Sequence, residues 1–199
     1  EYMMEPEAEI RLAKSAAPEK ISEHATIKVL TATGYKVVSE GDNGFVCIVM
    51  RGWSAPMFTP VKDRELVYYS KLRAPICFDP VASRTVLPHQ ELRTKLGLEG
   101  KGPDAIASAV AAAYSSGEIP KVEGVSFAYM WSADSNLGPG TGAWHPHMMV
   151  YAPYYKGSML GNSGCEEMVP CVASDAGTPF AIVVIPVHGE AIKAKSSGR

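Results

Sequence analysis

The sequence predicts an α+β fold in a single domain, an antiparallel or mixed β-sheet with helices packed on one face. Three observations carry this. Strand-like apolar segments bounded by turn residues occupy both ends of the chain, from Thr26 to Met50 and from Val125 to His188. Two segments of helical periodicity lie between them. Strands, then helices, then strands make a sheet with helices to one side rather than an alternating βαβ chain. The 199 residues, 46% hydrophobic and 20% charged, suffice for one well-buried core and are too few for two comfortable domains. The expected organisation is an N-terminal helical arm at 1–25, a core domain at 26–188 and a flexible tail at 189–199.

Residues 1–24 are rich in Glu, Ala and Lys, with Pro6 and Pro18 as helix starts. Pro6 to Ala16 reads as a short helix and Glu19 to His24 as a further turn or two. The apolar stripe is thin, which suits a loosely packed arm. Ile27, Val29 and Thr31 then alternate with more polar neighbours, and Tyr35 to Ser39 follows Thr33-Gly34. Glu40-Gly41-Asp42-Asn43-Gly44 is a turn, with Gly44 free to take positive φ and Asp42 or Asn43 able to hold the local backbone. Phe45 to Met50 completes a predicted β-meander. Arg51 to Pro60 reads as a loop folded over a core edge, and Glu65 to Leu72 leans to strand. Ala74 to Pro80 is a short buried segment fenced by prolines.

Leu87 to Leu96 is a helix with Pro88 near its start and Gly97 as its stop. Gly102-Pro103-Asp104 opens a second, in which Ile106, Ala109, Val110, Ala113 and Tyr114 follow helical spacing until Gly117. Its alanine-rich face suits close packing on a sheet. Val125 to Trp131 returns to strand. The stretch Ala143 to Pro153 holds two of the five histidines. As a strand it would place His145, His147, Met149 and Tyr151 on one face and Pro146, Met148, Val150 and Ala152 on the other. Tyr154 to Val169 is a long connection. Phe180 to His188 is nearly continuous in apolar residues, as a strand buried on both faces is.

Charge and composition exclude some functions. The formal net charge is −2 and the cations are scattered, so nucleic acid is not an expected partner. No apolar run approaches the roughly 18 residues that span a bilayer. Export with a signal peptide already removed is the expectation. Four cysteines allow three pairings. Cys165 and Cys171 bracket five residues, a spacing that suits a small closed loop, while Cys47 and Cys77 sit in separate apolar segments. Free buried thiols remain the alternative to disulfides.

Gly41-Asp42-Asn43-Gly44-Phe45-Val46-Cys47, Pro75-Ile76-Cys77-Phe78-Asp79 and Pro146-His147-Met148-Met149-Val150, with Pro186-Val187 closing the last strand, together resemble a family of uncharacterised, exported bacterial proteins. The resemblance spans roughly Ile27 to Val187. It implies that Cys47 pairs with Cys77 and that Asp79 and His147 matter. It does not extend to Cys165, Cys171 or His145, and it supplies no reaction.

Two histidines at i and i+2 can share a transition metal, since imidazole suits zinc, copper, nickel and iron. A third ligand would come from His188, Asp134 or Asp79. The glutamate that a cupin-like site would want shortly afterwards is absent, Tyr151, Ala152 and Pro153 standing there. One histidine hydrogen-bonded in the core, with the other at the strand mouth, is the preferred reading. Gly161-Asn162-Ser163-Gly164 imitates a nucleophile turn, but its flanks are loop-like and Cys165 replaces the final glycine. Methionines at 3, 4, 148, 149 and 168 are better core fillers than soft-metal ligands. Trp131, Trp144, Tyr151, Tyr154 and Tyr155 suggest an aromatic cluster that caps the sheet or lines an apolar pocket.

The resulting expectation is an exported, periplasmic or extracellular module that binds a small molecule or protein, with no recognisable catalytic centre. Asp79, Trp144, Tyr151 and Tyr154 are its candidate binding residues. The alternatives are a metal-dependent hydrolase or other metalloenzyme using His145, His147, Asp134 and His188, and an envelope-associated assembly module.

Overall fold

The computed structural model describes residues 2–51, 53–54, 67–122, 124–138, 142–143, 145–161, 165, 169–174, 176–187 and 193. In chain order the elements are helices α1 (Pro6–Lys14) and α2 (Glu19–Ser22) and strands β1 (Thr26–Thr31), β2 (Gly34–Ser39), β3 (Val46–Met50), β4 (Trp53–Ser54), β5 (Val67–Tyr68) and β6 (Ala74–Phe78). Helices α3 (Ala82–Thr85), α4 (Leu87–Leu98) and α5 (Pro103–Ser116) follow. Strands β7 (Ser126–Met130) and β8 (His147–Tyr151), helix α6 (Gly157–Leu160), and strands β9 (Cys171–Ser174) and β10 (Ile182–Pro186) complete the chain. One eight-stranded sheet runs in the order β2-β1-β3-β6-β7-β8-β10-β9, and β4 pairs with β5 in a separate ribbon.

The fold is the expected α+β domain built on a mixed sheet. Its helices are divided between the two faces rather than gathered on one. Alternation along β3 shows why: Ile48 joins a core with Ile76, Phe78, Ala82, Val86 and Leu87, whereas its neighbours Cys47 and Val49 join another with Leu12, Ala13, Ala16 and Cys77. Helices α3 and α4 therefore cover one face and α1 the other. Helix α5 packs on α4, with Ile106, Val110 and Ala113 buried and most of its alanines exposed.

The first three strands are not a meander. β1 and β2 form an antiparallel hairpin, but β3 returns to the far side of β1 and pairs with it in parallel. The connection from β2 to β3 must cross the chain entering β1, and the turn residues make that crossing. A Cβ at Gly41 would run into the backbone of His24, Ala25 and Thr26, so only glycine fits there. The amides of Asp42 and Asn43 donate to the His24 carbonyl at 3.0 and 3.3 Å. The Asn43 amide group donates to the Ile21 carbonyl at 2.8 Å, and its oxygen accepts from the Phe45 amide at 3.0 Å. Gly44 takes the expected positive φ, +75°.

Several boundaries move. Gly97 lies within α4, which runs on to Leu98, and Gly100 with φ +75° follows its end instead. Gly117 ends α5 in the left-handed conformation, as its position predicts. The short elements α3 and β9 were not expected, and β4 and α6 arise within the stretches expected as a loop, Arg51 to Pro60, and a connection, Tyr154 to Val169. The N-terminal segment is packed on the sheet, with Leu12, Ala13, Ala16 and Ala17 buried.

Both disulfides form, Cys47 with Cys77 and Cys165 with Cys171. Cys47 and Cys77 sit directly opposite each other on neighbouring antiparallel strands, beneath α1. Two disulfides are the mark of an oxidising, extracytoplasmic environment. Among the described residues no helix is long and apolar enough to cross a membrane.

Candidate functional site

The histidine strand is shorter than its apolar pattern. β8 begins at His147, so His147, Met149 and Tyr151 share a buried face while His145 precedes the strand. The His147 imidazole accordingly points into the core, 2% exposed. Its Nδ1 lies 2.8 Å from the His145 carbonyl oxygen. A carbonyl only accepts, so Nδ1 carries the proton and Nε2 the lone pair in the neutral ring. Burial holds the neutral form, pushing the His147 pKa down to about 4 against the opposing pull of that hydrogen bond. Burial also lowers His145. The two rings stand edge to face, 6.4 Å between centroids.

This is the chemistry of a well-oriented core imidazole, and a metal would require more. Among the described residues no three His, Cys, Asp or Glu side chains come together to hold an ion. Asp134 is exposed on the loop after Ser132. Asp79 is committed elsewhere: its Oδ1 accepts from the amides of Val81 and Ala82 at 3.0 and 2.6 Å, fixing the start of α3. Its own amide donates to the Phe127 carbonyl at 2.9 Å, tying β6 to β7. His188 lies outside the described residues.

The binding candidates also separate. Tyr151 is buried beneath the helices, and burial, followed by the nearby Asp79 charge, raises its pKa. Tyr154 is 62% exposed beyond the end of β8. Its φ of 65° is left-handed, rare outside glycine, and its amide is held by the Thr178 carbonyl at 2.8 Å. Trp131 stands edge-on to Tyr129, 5.5 Å away, on the α1 side of the sheet. Trp131, Tyr151 and Tyr154 therefore do not gather into one cluster. Trp144, Met168 and the segment Asn162-Ser163-Gly164 lie outside the described residues.

Two features escaped the sequence reading. The first is a buried ion pair beneath α1. Arg51 Nη1 donates to Glu9 Oε1 at 2.9 Å, and Nη2 stands 2.7 Å from Oε2. The Leu30 amide donates to the same Oε1 at 2.9 Å, so one carboxylate binds a helix, a strand and the end of β3 together. Tyr35 lies beside this pair, its hydroxyl donating to the Val49 carbonyl at 2.8 Å, and burial raises its pKa although the Arg51 charge opposes the rise. The signal was present in α1: Glu9, Leu12, Ala13 and Ala16 follow i, i+3, i+4, i+7, which puts a carboxylate on the apolar stripe.

The second is an open apolar surface. Helix α1 covers its face of the sheet over β1, β3 and β6. On the same face, beyond Tyr129, stand Phe127 of β7, Met148 and Val150 of β8, Val183 and Ile185 of β10, and Val172 of β9. Cross-strand pairing sets Phe127 opposite Val150, Val150 opposite Val183, Met148 opposite Ile185, and Val183 opposite Val172. Phe127 is 39% exposed and Val125, just before β7, 58%. Met148, Val150, Val172 and Ile185 are half-buried. All are apolar, and of these Val183 alone is buried.

No family model, curated protein or solved structure matches the chain.

Proposed function

We propose that this is an exported binding module, working in the periplasm or outside the cell, whose contact surface is the open half of the sheet face. One observation carries the reading. β8 and β10 have apolar side chains on both faces, the composition of strands buried on both sides, yet Phe127, Met148, Val150, Val172 and Ile185 keep solvent exposure. Contiguous apolar surface of this kind marks interaction sites. The two disulfides support the compartment.

The test is binding of a hydrophobic fluorescent dye to the folded protein and to Phe127→Lys. Dye bound by the native wild type and lost in an equally stable variant supports the reading. A native protein that binds no dye contradicts it, as does a Phe127→Lys variant that is strongly destabilised, because the face would then be buried by its own chain.

A further inference from the structure

The buried polar groups beneath α1 lie where two parallel strands part. β1 pairs with β3 only at Thr26 opposite Val46 and Ile27 opposite Cys47, although β1 runs to Thr31 and β3 to Met50. A parallel ladder continued in that register would have the Leu30 amide donate to the Val49 carbonyl. In this protein the Leu30 amide donates to Glu9 Oε1 at 2.9 Å, and the Val49 carbonyl accepts from the Tyr35 hydroxyl at 2.8 Å. Glu9 thus enters between the strands from α1, and Tyr35 from β2. The chain leaving β1 turns back into β2 on one side, while β3 has its other sheet neighbour, β6, on the opposite side. That divergence opens a crevice beyond the carboxyl ends of the two parallel strands, the position at which open α/β sheets bind their ligands.

Arg51 stands at the end of β3 in this crevice, 3% exposed. Glu9 occupies the terminal fork of its guanidinium, Nη1 and Nη2. The Nε–H belongs to the other edge, is buried, and has no hydrogen-bond partner among the described residues. A buried donor without an acceptor is costly, and a guanidinium edge matches the two oxygens of a carboxylate. Arg73 follows as the next position beyond the Met50–Ala74 pair, so the two arginines sit at adjoining ends of β3 and β6. Burial lowers the Arg73 pKa and the Arg51 charge lowers it further, while Glu9, Tyr2 and Tyr35 act against the fall. All five groups therefore share one electrostatic neighbourhood, with the Tyr2 hydroxyl buried in it and Arg73 half-buried at its margin. We propose that this crevice binds a small monocarboxylate, its oxygens accepting from the Nε edge of Arg51 and from Arg73, with the Tyr2 hydroxyl beside them. Two guanidiniums and one carboxylate leave a single positive charge, which a monoanion neutralises. A dianion such as phosphate would bring an unmatched charge into a largely buried site, and a cation would meet the same sign. A neutral apolar ligand would leave the Nε–H without an acceptor.

The experiment is calorimetric titration of the full chain with sodium acetate at constant ionic strength, with chloride and inorganic phosphate as rival anions. Wild type, Arg73→Gln and Tyr2→Phe are compared, each first checked for folding by circular dichroism. Arg73→Gln leaves the Glu9–Arg51 pair in place, so it separates the site from the anchoring of α1. The expected result is saturable one-to-one acetate binding, weakened at least tenfold in Arg73→Gln and by a smaller factor in Tyr2→Phe. Acetate affinity weaker than about 10 mM in wild type, or undiminished in Arg73→Gln, overturns the proposal. Chloride or phosphate bound more tightly than acetate overturns the carboxylate assignment. Should Arg73→Gln not fold, Tyr2→Phe decides: weakened acetate binding upholds the site, and unchanged affinity overturns it.

Discussion

The two halves of one sheet face make the instructive contrast. Over β1, β3 and β6 the face is closed by α1 and stapled by Cys47–Cys77, with the buried Glu9–Arg51 pair holding helix to strands. Over β7, β8, β10 and β9 the same face carries equally apolar side chains and retains exposure. Both halves have strands of similar composition, so apolar content does not decide which is covered. What differs is a directed polar contact. Glu9 selects one position for α1, because only there does its carboxylate meet Arg51 and the Leu30 amide.

The largest expected effect follows from that pair. Glu9→Gln leaves the Arg51 guanidinium buried and uncompensated, and urea unfolding should show a loss of about 3–5 kcal/mol. Replacing both residues with apolar ones of similar volume should recover most of it. Recovery would show that the pair specifies where α1 docks rather than supplying net stability.

Removing the disulfides should rank with the loop each closes. By loop entropy, Cys47→Ala with Cys77→Ala should cost about 3.5 kcal/mol, and Cys165→Ala with Cys171→Ala about 2 kcal/mol. Denaturant midpoints of the two double variants compare them directly. A reversed order would mean that the small loop supports β9 more than the closed half depends on its staple.

The next effect lies on the helix-covered face shared by both halves. The folded pKa of His147 is lowered to about 4, so the unfolded chain takes up the proton first as pH falls. Its contribution is complete above about pH 6.5 and lost as pH falls to about 4, a change of about 3 kcal/mol. His89, hydrogen-bonded to the Tyr114 hydroxyl at 3.1 Å and lowered to about 3 by burial, adds a slope of the same sign. Unfolding free energies across this range should fall with pH, less steeply in His147→Gln. An unchanged slope in that variant would assign the acid sensitivity elsewhere.

Much of this was legible in the chain. The alternation of His147, Met149 and Tyr151, the left-handed Gly44 and Gly117, and the Cys165–Cys171 loop all follow from local spacing and backbone sterics. The parallel return of β3 was not, because a turn rich in Gly, Asp and Asn reads as a hairpin unless the close approach of Gly41 to Ala25 is known. Arg51 lies 42 residues from Glu9, and only the fold brings them together. For Asp79 the chain gave no sign of its local task, accepting from the amides of Val81 and Ala82 at the start of α3. The open half-face was hidden for a simpler reason. An apolar run says that both faces want cover and does not say whose.

The most direct test sets a buried position beside the one with the smallest expected effect, Val150. Val49 and Val150 stand on the same sheet face, one beneath α1 and fully buried, the other on the open half. Urea unfolding of Val49→Lys and Val150→Lys compares them. Val49→Lys should abolish folding or cost several kcal/mol, since it buries a charge, while Val150→Lys should remain within about 1 kcal/mol of wild type. Equal, large losses would contradict the account, because the second half would then be closed by the chain itself and would have no face to offer.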